Sequence, residues 1–232
     1  MRFRAITRYW RADWYLSFLL CMLLLVVFVL YPLSDRGRFG GVVLQSVFSL
    51  ILISGAALIA NRPGVMVLAL LLAGGTAAVE WIRLFRPSRG LNVLGISLWI
   101  LFCSMLAAVI MVRVFRKGRI NLYRIQGALC VYLLLGVIWS GAYRLVVQFD
   151  PAAFSLPAST ADEGLMSSSL VYFSFATLTT LGYGDVTAVH TAARSLALLE
   201  ALTGQLFPAV LIARLVAMEV VHYQEKLDRD HK

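Results

Sequence analysis

The chain has 232 residues, 60% of them hydrophobic and 14% charged, with a mean hydropathy of +0.82 and a formal net charge of +9. This composition excludes an ordinary soluble domain and points to a polytopic membrane protein. The positive charge is no argument for nucleic acid, because the basic residues stand at the ends of apolar runs, where membrane proteins carry them.

A bilayer core about 30 Å thick takes about 20 apolar residues as helix. Runs of that kind lie near 14–33, 40–60, 64–82, 91–112, 124–147 and 192–214, so six transmembrane helices are expected. The first follows the basic stretch MRFRAITRYWR, with Arg2, Arg4, Arg8 and Arg11. It is too long for the apolar region of a signal peptide, and YPLSDRGR follows it in place of a small-residue cleavage site, so it reads as an uncleaved helix. Short loops join the next segments, NRPG at 61–64 and RPSRG at 86–90, and Pro63 and Pro87 stand where a helix should begin or stop. Cys21, Cys103 and Cys130 all fall within apolar runs, share no metal-like spacing, and read as inert helix residues.

Near residue 115 the character of the chain changes. The stretch RVFRKGRINLYR (113–124) carries the densest basic cluster, Arg113, Arg116, Lys117 and Arg119, and is expected to lie along the cytoplasmic surface. With the N-terminus inside and six spans crossed, both basic clusters are cytoplasmic, as are both termini. Arg83, Arg86 and Arg89 then fall outside, against the same bias. After the fifth span comes a polar loop (148–167) with two prolines and the acids Asp150, Asp162 and Glu163. The apolar, Ser/Thr-rich run SLVYFSFATLTT that follows has about a dozen residues, or about 18 Å of helix, too short to cross a bilayer. It is expected to enter the membrane and stop halfway.

The strip TLTTLGYGDVT (177–187) follows at once. Non-helical backbone at membrane depth is tolerated only where it is buried in protein or borders a watery path. Gly182 and Gly184, alternating with Tyr183, allow positive φ at every other residue, which turns successive carbonyls the same way. A short helix aimed inward puts its negative end at the membrane centre, which favours a cation.

TTLGYGD (179–185), with a short helix before it and a long span after it, resembles the signature of the tetrameric potassium-channel superfamily, over about residues 122–225. The resemblance implies an all-α membrane protein of six transmembrane helices plus a re-entrant pore helix and filter loop, assembled as a four-fold homotetramer. It divides the chain into a four-helix N-terminal membrane domain (1–115), a pore domain (116–225) and a short cytoplasmic tail (226–232). It makes potassium the transported ion, with no organic cofactor, and assigns its coordination to the carbonyls of Thr180, Leu181, Gly182 and Tyr183 and the Thr180 hydroxyl. Thr179 ends the pore helix facing the cavity, Gly184 and Asp185 close the outer mouth, and Tyr172 offers a hydroxyl towards Tyr183 or Asp185. In this chain Leu181 replaces the family's usual valine, Tyr172 and Phe173 replace paired tryptophans, and Ala176 stands where some members place an acid.

On the last span, Ala201, Gln205, Pro208 and Ile212 share a face and by the resemblance line the cavity, with a bend at 204–208 as the candidate gate. Gly204 is either a hinge or a small residue for close helix packing, and Pro208 is expected to kink the helix. Glu200, an acid inside a span, reads either as a functional group or as a carboxyl packed on pore-helix hydroxyls. Arg194 stands near the outer headgroups, where an anionic lipid or Asp185 would pair with it. Arg214 is expected to snorkel at the inner interface.

Voltage sensing requires arginines at every third position through a span. The run LNVLGISLWILFCSMLAAVI (91–110) has none, and Pro87 interrupts the three around 83–89. No phosphate loop, metal cluster or nucleophile–base set appears, so an enzyme is not expected. The expected function is a passive potassium channel, not voltage-gated, in a bacterial inner membrane, with identical subunits and lipids as partners. The alternatives are a weakly selective cation channel and a non-conducting membrane sensor that keeps the pore fold.

Overall fold

The computed structural model of the chain describes residues 16–30, 51, 63–86, 88–115, 122–156 and 163–230. Among the described residues these helices follow one another: α1 (Leu16–Leu30), α2 (Pro63–Phe85), α3 (Arg89–Val114), α4 (Leu122–Phe149), α5 (Glu163–Leu178) and α6 (Thr191–Asp230). Two short strands, β1 (Phe154–Ser155) and β2 (Thr187–Ala188), flank α5 and pair antiparallel, with Phe154 opposite Ala188 and Ser155 opposite Thr187. Among the described residues four helices are long and apolar enough to cross a bilayer, over Gly64–Arg83, Arg89–Val114, Leu122–Phe149 and Thr191–Val220. The span expected at 40–60 lies outside the described residues apart from the buried Ile51, as do the basic lead-in Arg2, Arg4, Arg8 and Arg11, Pro87, and Arg116, Lys117 and Arg119.

Local signals explain the ends of these elements. Pro63 opens α2, where its missing N–H costs nothing. Ser88 caps α3 by accepting from the Leu91 amide at 3.3 Å. Arg83 lies in the last turn of α2, Arg86 just beyond it, and Arg89 is the first residue of α3, so these arginines mark a helix connection rather than one helical ladder. Glu80 pairs with Arg83 at 2.9 Å, one turn away.

The helices pack in sequence: α2 on α3, α3 along α4, and α4 on both α5 and α6. Apolar side chains from α1, α3 and α4, such as Leu19, Leu23, Phe102, Leu106, Ile110 and Leu134, form the larger core. Small residues on α4 set its spacing. A Cβ at Gly136 would stand 2.5 Å from the Phe175 ring, so α5 rests directly on the α4 backbone there.

A second, smaller core packs against one face of α5. Tyr143 from α4, Phe154 from β1 and Phe173 from α5 meet edge to face in a triangle, with centroids 5.1–5.4 Å apart. Val186, just before β2, and Ala193 in α6 complete it. The segment after α4 is fastened to the start of α6: the Ala153 carbonyl accepts from the Val189 amide at 2.8 Å and from the His190 amide at 3.2 Å. Truncating this triangle by Phe154→Ala is expected to cost about 3–5 kcal/mol. Phe85→Ala, on an outward-facing side chain, should change stability by less than about 0.5 kcal/mol. Thermal unfolding of the detergent-solubilised protein checks both; equal losses would show that the triangle is not a core.

Candidate functional site

The strip after α5 is built by closing the end of that helix. An α-helix leaves its last carbonyls without intrahelical donors. Here the Thr180 amide donates to the Thr177 carbonyl at 3.0 Å, and the Leu181 amide donates to the Ala176 carbonyl at 2.8 Å. Thr180 itself has φ +58°. A left-handed residue with this pair of bonds is a Schellman closure, usually made with glycine at the left-handed position. Threonine there costs about 1–2 kcal/mol, because its Cβ crowds the following carbonyl. Position 180 could not be read as left-handed from the sequence, since the usual glycine signal is absent.

The Gly182 amide also donates to the Ala176 carbonyl, at 3.2 Å. Three consecutive amides, of residues 180, 181 and 182, thus turn back towards α5. In a trans peptide the N–H and C=O of one unit point opposite ways. The carbonyls of Thr179, Thr180 and Leu181 therefore point away from α5, onto the open side of the strip. Positive φ at Thr180, Gly182 and Gly184 (58°, 54° and 82°) repeats every second residue, the alternation that keeps successive carbonyls facing one way.

The Leu178 carbonyl is satisfied differently. The Tyr132 hydroxyl from α4 donates to it at 3.2 Å. On its other side lies Gly204 of α6, where a Cβ would come within 2.0 Å of the same oxygen. Gly204 is thus a close-packing residue on the end of α5. The helix continues through it and through Pro208 to Asp230, and Pro208 supplies no amide for the Gly204 carbonyl one turn earlier.

Beyond the strip the chain is fastened again. Tyr172 donates its hydroxyl to Asp185 at 3.1 Å. Arg194 donates its Nε to the Ala188 carbonyl at 3.1 Å. Thr179 at the foot of the strip donates its hydroxyl to the Phe175 carbonyl at 2.7 Å. Leu181, Tyr183, Gly184 and Asp185 are exposed on the single chain.

Along α6, Ala193, Glu200 and Gly204 are buried against α4 and α5, and Phe207 stacks near Tyr132 with centroids 5.9 Å apart. Ala201 and Pro208 are half-buried at the edge of that contact, while Gln205 and Ile212 are exposed. Arg214 lies over the Phe115 ring at 5.1 Å. Glu200 is fully buried: Ser174 lies 2.5 Å from one of its oxygens, and Tyr143 donates to the other. Sequence reasoning missed the roles of Tyr132, Tyr143 and the Ala176 carbonyl. The tyrosines carried a signal only as isolated hydroxyls in an apolar helix, and a backbone carbonyl carries none.

Residues 131–220 match the family model described as "Ion channel". Neither the curated proteins nor the solved structures contain a match to the chain. The match takes in most of α4, all of α5 and the strip, and the apolar length of α6.

Tyr132 and Gly204 act on one carbonyl, so their losses should not add. Tyr132→Phe strands the Leu178 oxygen and is expected to cost about 1–3 kcal/mol. Gly204→Ala overpacks the same spot, at about 1–3 kcal/mol. The double variant should unfold closer to the worse single variant than to their sum. Strict additivity in thermal unfolding would show that the two contacts are separate.

Proposed function

We propose that the chain belongs to the tetrameric potassium-channel-like superfamily, a reading supported by the ion-channel match over residues 131–220, and that four identical chains surround a potassium-selective pore. The observation that carries this reading is the row of carbonyls from Thr179 to Leu181, turned off the end of α5 while the amides are held behind. Carbonyl oxygens set at close spacing replace the hydration shell of a cation without presenting a fixed charge. On this reading Thr180, Leu181, Gly182 and Tyr183 coordinate potassium by their carbonyls, and the Thr180 hydroxyl completes the innermost site. Tyr172 and Asp185 brace the outer mouth with Gly184, and Thr179 faces the cavity.

One chain presents only one wall of such a path, and four symmetric copies enclose it. The exposed face of α6, with Leu198, Leu202, Leu206 and Val210 more than half accessible, supports contact with neighbouring copies or lipid. Ala201, Gln205, Pro208 and Ile212 border the cavity below, and the Gly204–Pro208 stretch, lacking one backbone bond, is the gate region. On this reading the chain crosses a bacterial inner membrane six times, with both termini cytoplasmic. Anionic lipid reaches the chain near Arg194. Gating by voltage has no support in α3, which carries no arginine between its first turn and Arg113.

Purified protein in liposomes should pass potassium down its gradient while sodium flux stays near the background of empty vesicles. Gly182→Ala, which places a side chain at φ +54°, should abolish the flux. Equal fluxes of the two ions would replace this reading with a weakly selective cation channel. No flux, from a protein that still assembles as a tetramer, would favour a non-conducting sensor.

A further inference from the structure

Glu200 takes no part in the proposed coordination, yet it joins three helices. Its carboxyl, on α6, meets the Tyr143 hydroxyl of α4 at one oxygen and the Ser174 hydroxyl of α5, at 2.5 Å, at the other. Ser174 Oγ also lies 2.7 Å from the Gly136 carbonyl of α4. All three of Ser140, Ser174 and Glu200 are buried, and the Ser140 hydroxyl is committed to the Val137 carbonyl at 2.8 Å.

The protons in this junction can be counted. Three oxygen–oxygen contacts need three hydrogens between them: Tyr143 to Glu200, Ser174 to Glu200, and Ser174 to Gly136. Tyrosine and serine hydroxyls each have one hydrogen, and a carbonyl has none. With Glu200 ionised, Ser174 must spend its hydrogen on the carboxylate, and two acceptors then face each other across 2.7 Å at Gly136. The third hydrogen has only the carboxyl to sit on. The ordering that satisfies every atom runs one way: Glu200 donates to Ser174, Ser174 donates to Gly136, and Tyr143 donates to the other Glu200 oxygen.

The surroundings agree. The titratable groups facing Glu200 are Tyr143 and, further along α4, Tyr132; α5 brings only the Ser174 hydroxyl. The Glu200 carboxyl is partnered by two hydroxyls, of Tyr143 and Ser174, and neither brings a positive charge to it. An isolated carboxylate buried within a membrane span is costly, and the neutral acid avoids that cost.

We infer that Glu200 is a positioning residue held as a neutral carboxylic acid, and that its proton ties α6 to the pore helix and so sets the alignment of the filter. Ser174 lies two residues before Ala176, whose carbonyl receives the Leu181 and Gly182 amides. Glu200 lies one turn before Gly204, which rests on the Leu178 carbonyl. Loss of the proton diverts Ser174 to the carboxylate and removes its hydrogen bond to the Gly136 carbonyl, one of the ties between α5 and α4 just behind the strip. The sign follows: the brace is intact while the proton is bound and is lost as pH rises through its release.

The effect on conduction rests on the channel reading; the proton assignment does not. Infrared spectroscopy of reconstituted protein at about pH 7 should show a protonated-carboxyl C=O band that Glu200→Gln removes. Absence of a difference in that band overturns the assignment. Potassium flux should fall by about tenfold as the pH rises from about 7 to about 9 in the unmodified protein, and by less than about twofold in Glu200→Gln. Glutamine keeps a donor for Ser174 and an acceptor for Tyr143, so a merely structural role would not separate the two profiles. Equal pH profiles overturn the coupling. If neither protein conducts, the channel reading fails, and the infrared band still decides the proton.

Discussion

Backbone that leaves the helical path inside a bilayer must find partners for its amides and carbonyls within the protein, since lipid offers none. In this chain the requirement is met at the C-terminal end of α5. The carbonyls there need donors, and the amides of the following strip need acceptors. Each solves the other's problem through the bonds at Thr177 and Ala176. The open row of carbonyls is a by-product of that closure, because trans peptides whose amides point back must present their oxygens forward. On the proposed reading, the ion path is thus less an added device than the unsatisfied remainder of a helix end.

The rest of the pore half can be understood as keeping that end still. Tyr132 supplies the donor that the strip cannot reach, and Gly204 lets α6 approach the same carbonyl. On the outer side the triangle of Tyr143, Phe154 and Phe173 holds α4, the loop after it and α5 together, and Val186 ties in the chain as it leaves the strip. Tyr143 serves both layers, with its ring in the apolar triangle and its hydroxyl on Glu200. The two-stranded pairing between 154–155 and 187–188 closes the ring of contacts. By contrast α6 has only one stripe against its own chain, and its remaining apolar surface faces outward.

Much of this was legible in the sequence for a simple reason. Long apolar runs, prolines and a capping serine act locally, so α2, α3, α4 and the start of α6 fall where hydropathy places them, and the glycines at 182 and 184 announce positive φ. What was not legible depends on contacts between distant residues or on backbone atoms. The strand pair joins segments more than thirty positions apart and each strand is two residues long, below any periodicity. The helix α5 is longer than its apolar part because it begins in the polar loop. Thr180 adopts a glycine conformation because the surrounding bonds impose it, against its own preference. Gly204 could be read as a hinge or as a packing residue until the Leu178 carbonyl was found beside it.

The same contrast explains the departure at position 176. A side-chain acid on the pore helix, as some members of the resembling family carry, braces the filter from within one helix. Here residue 176 is alanine and contributes its carbonyl to the Leu181 and Gly182 amides, while the buried acid stands on α6 and reaches α5 through Ser174. A brace confined to the pore helix is indifferent to what α6 does. A carboxyl carried by α6 itself cannot be, because any rotation or withdrawal of that helix around Glu200 pulls on Ser174 and Tyr143 together. Moving the acid from one helix to the other therefore converts a static support of the strip into a link between the strip and α6.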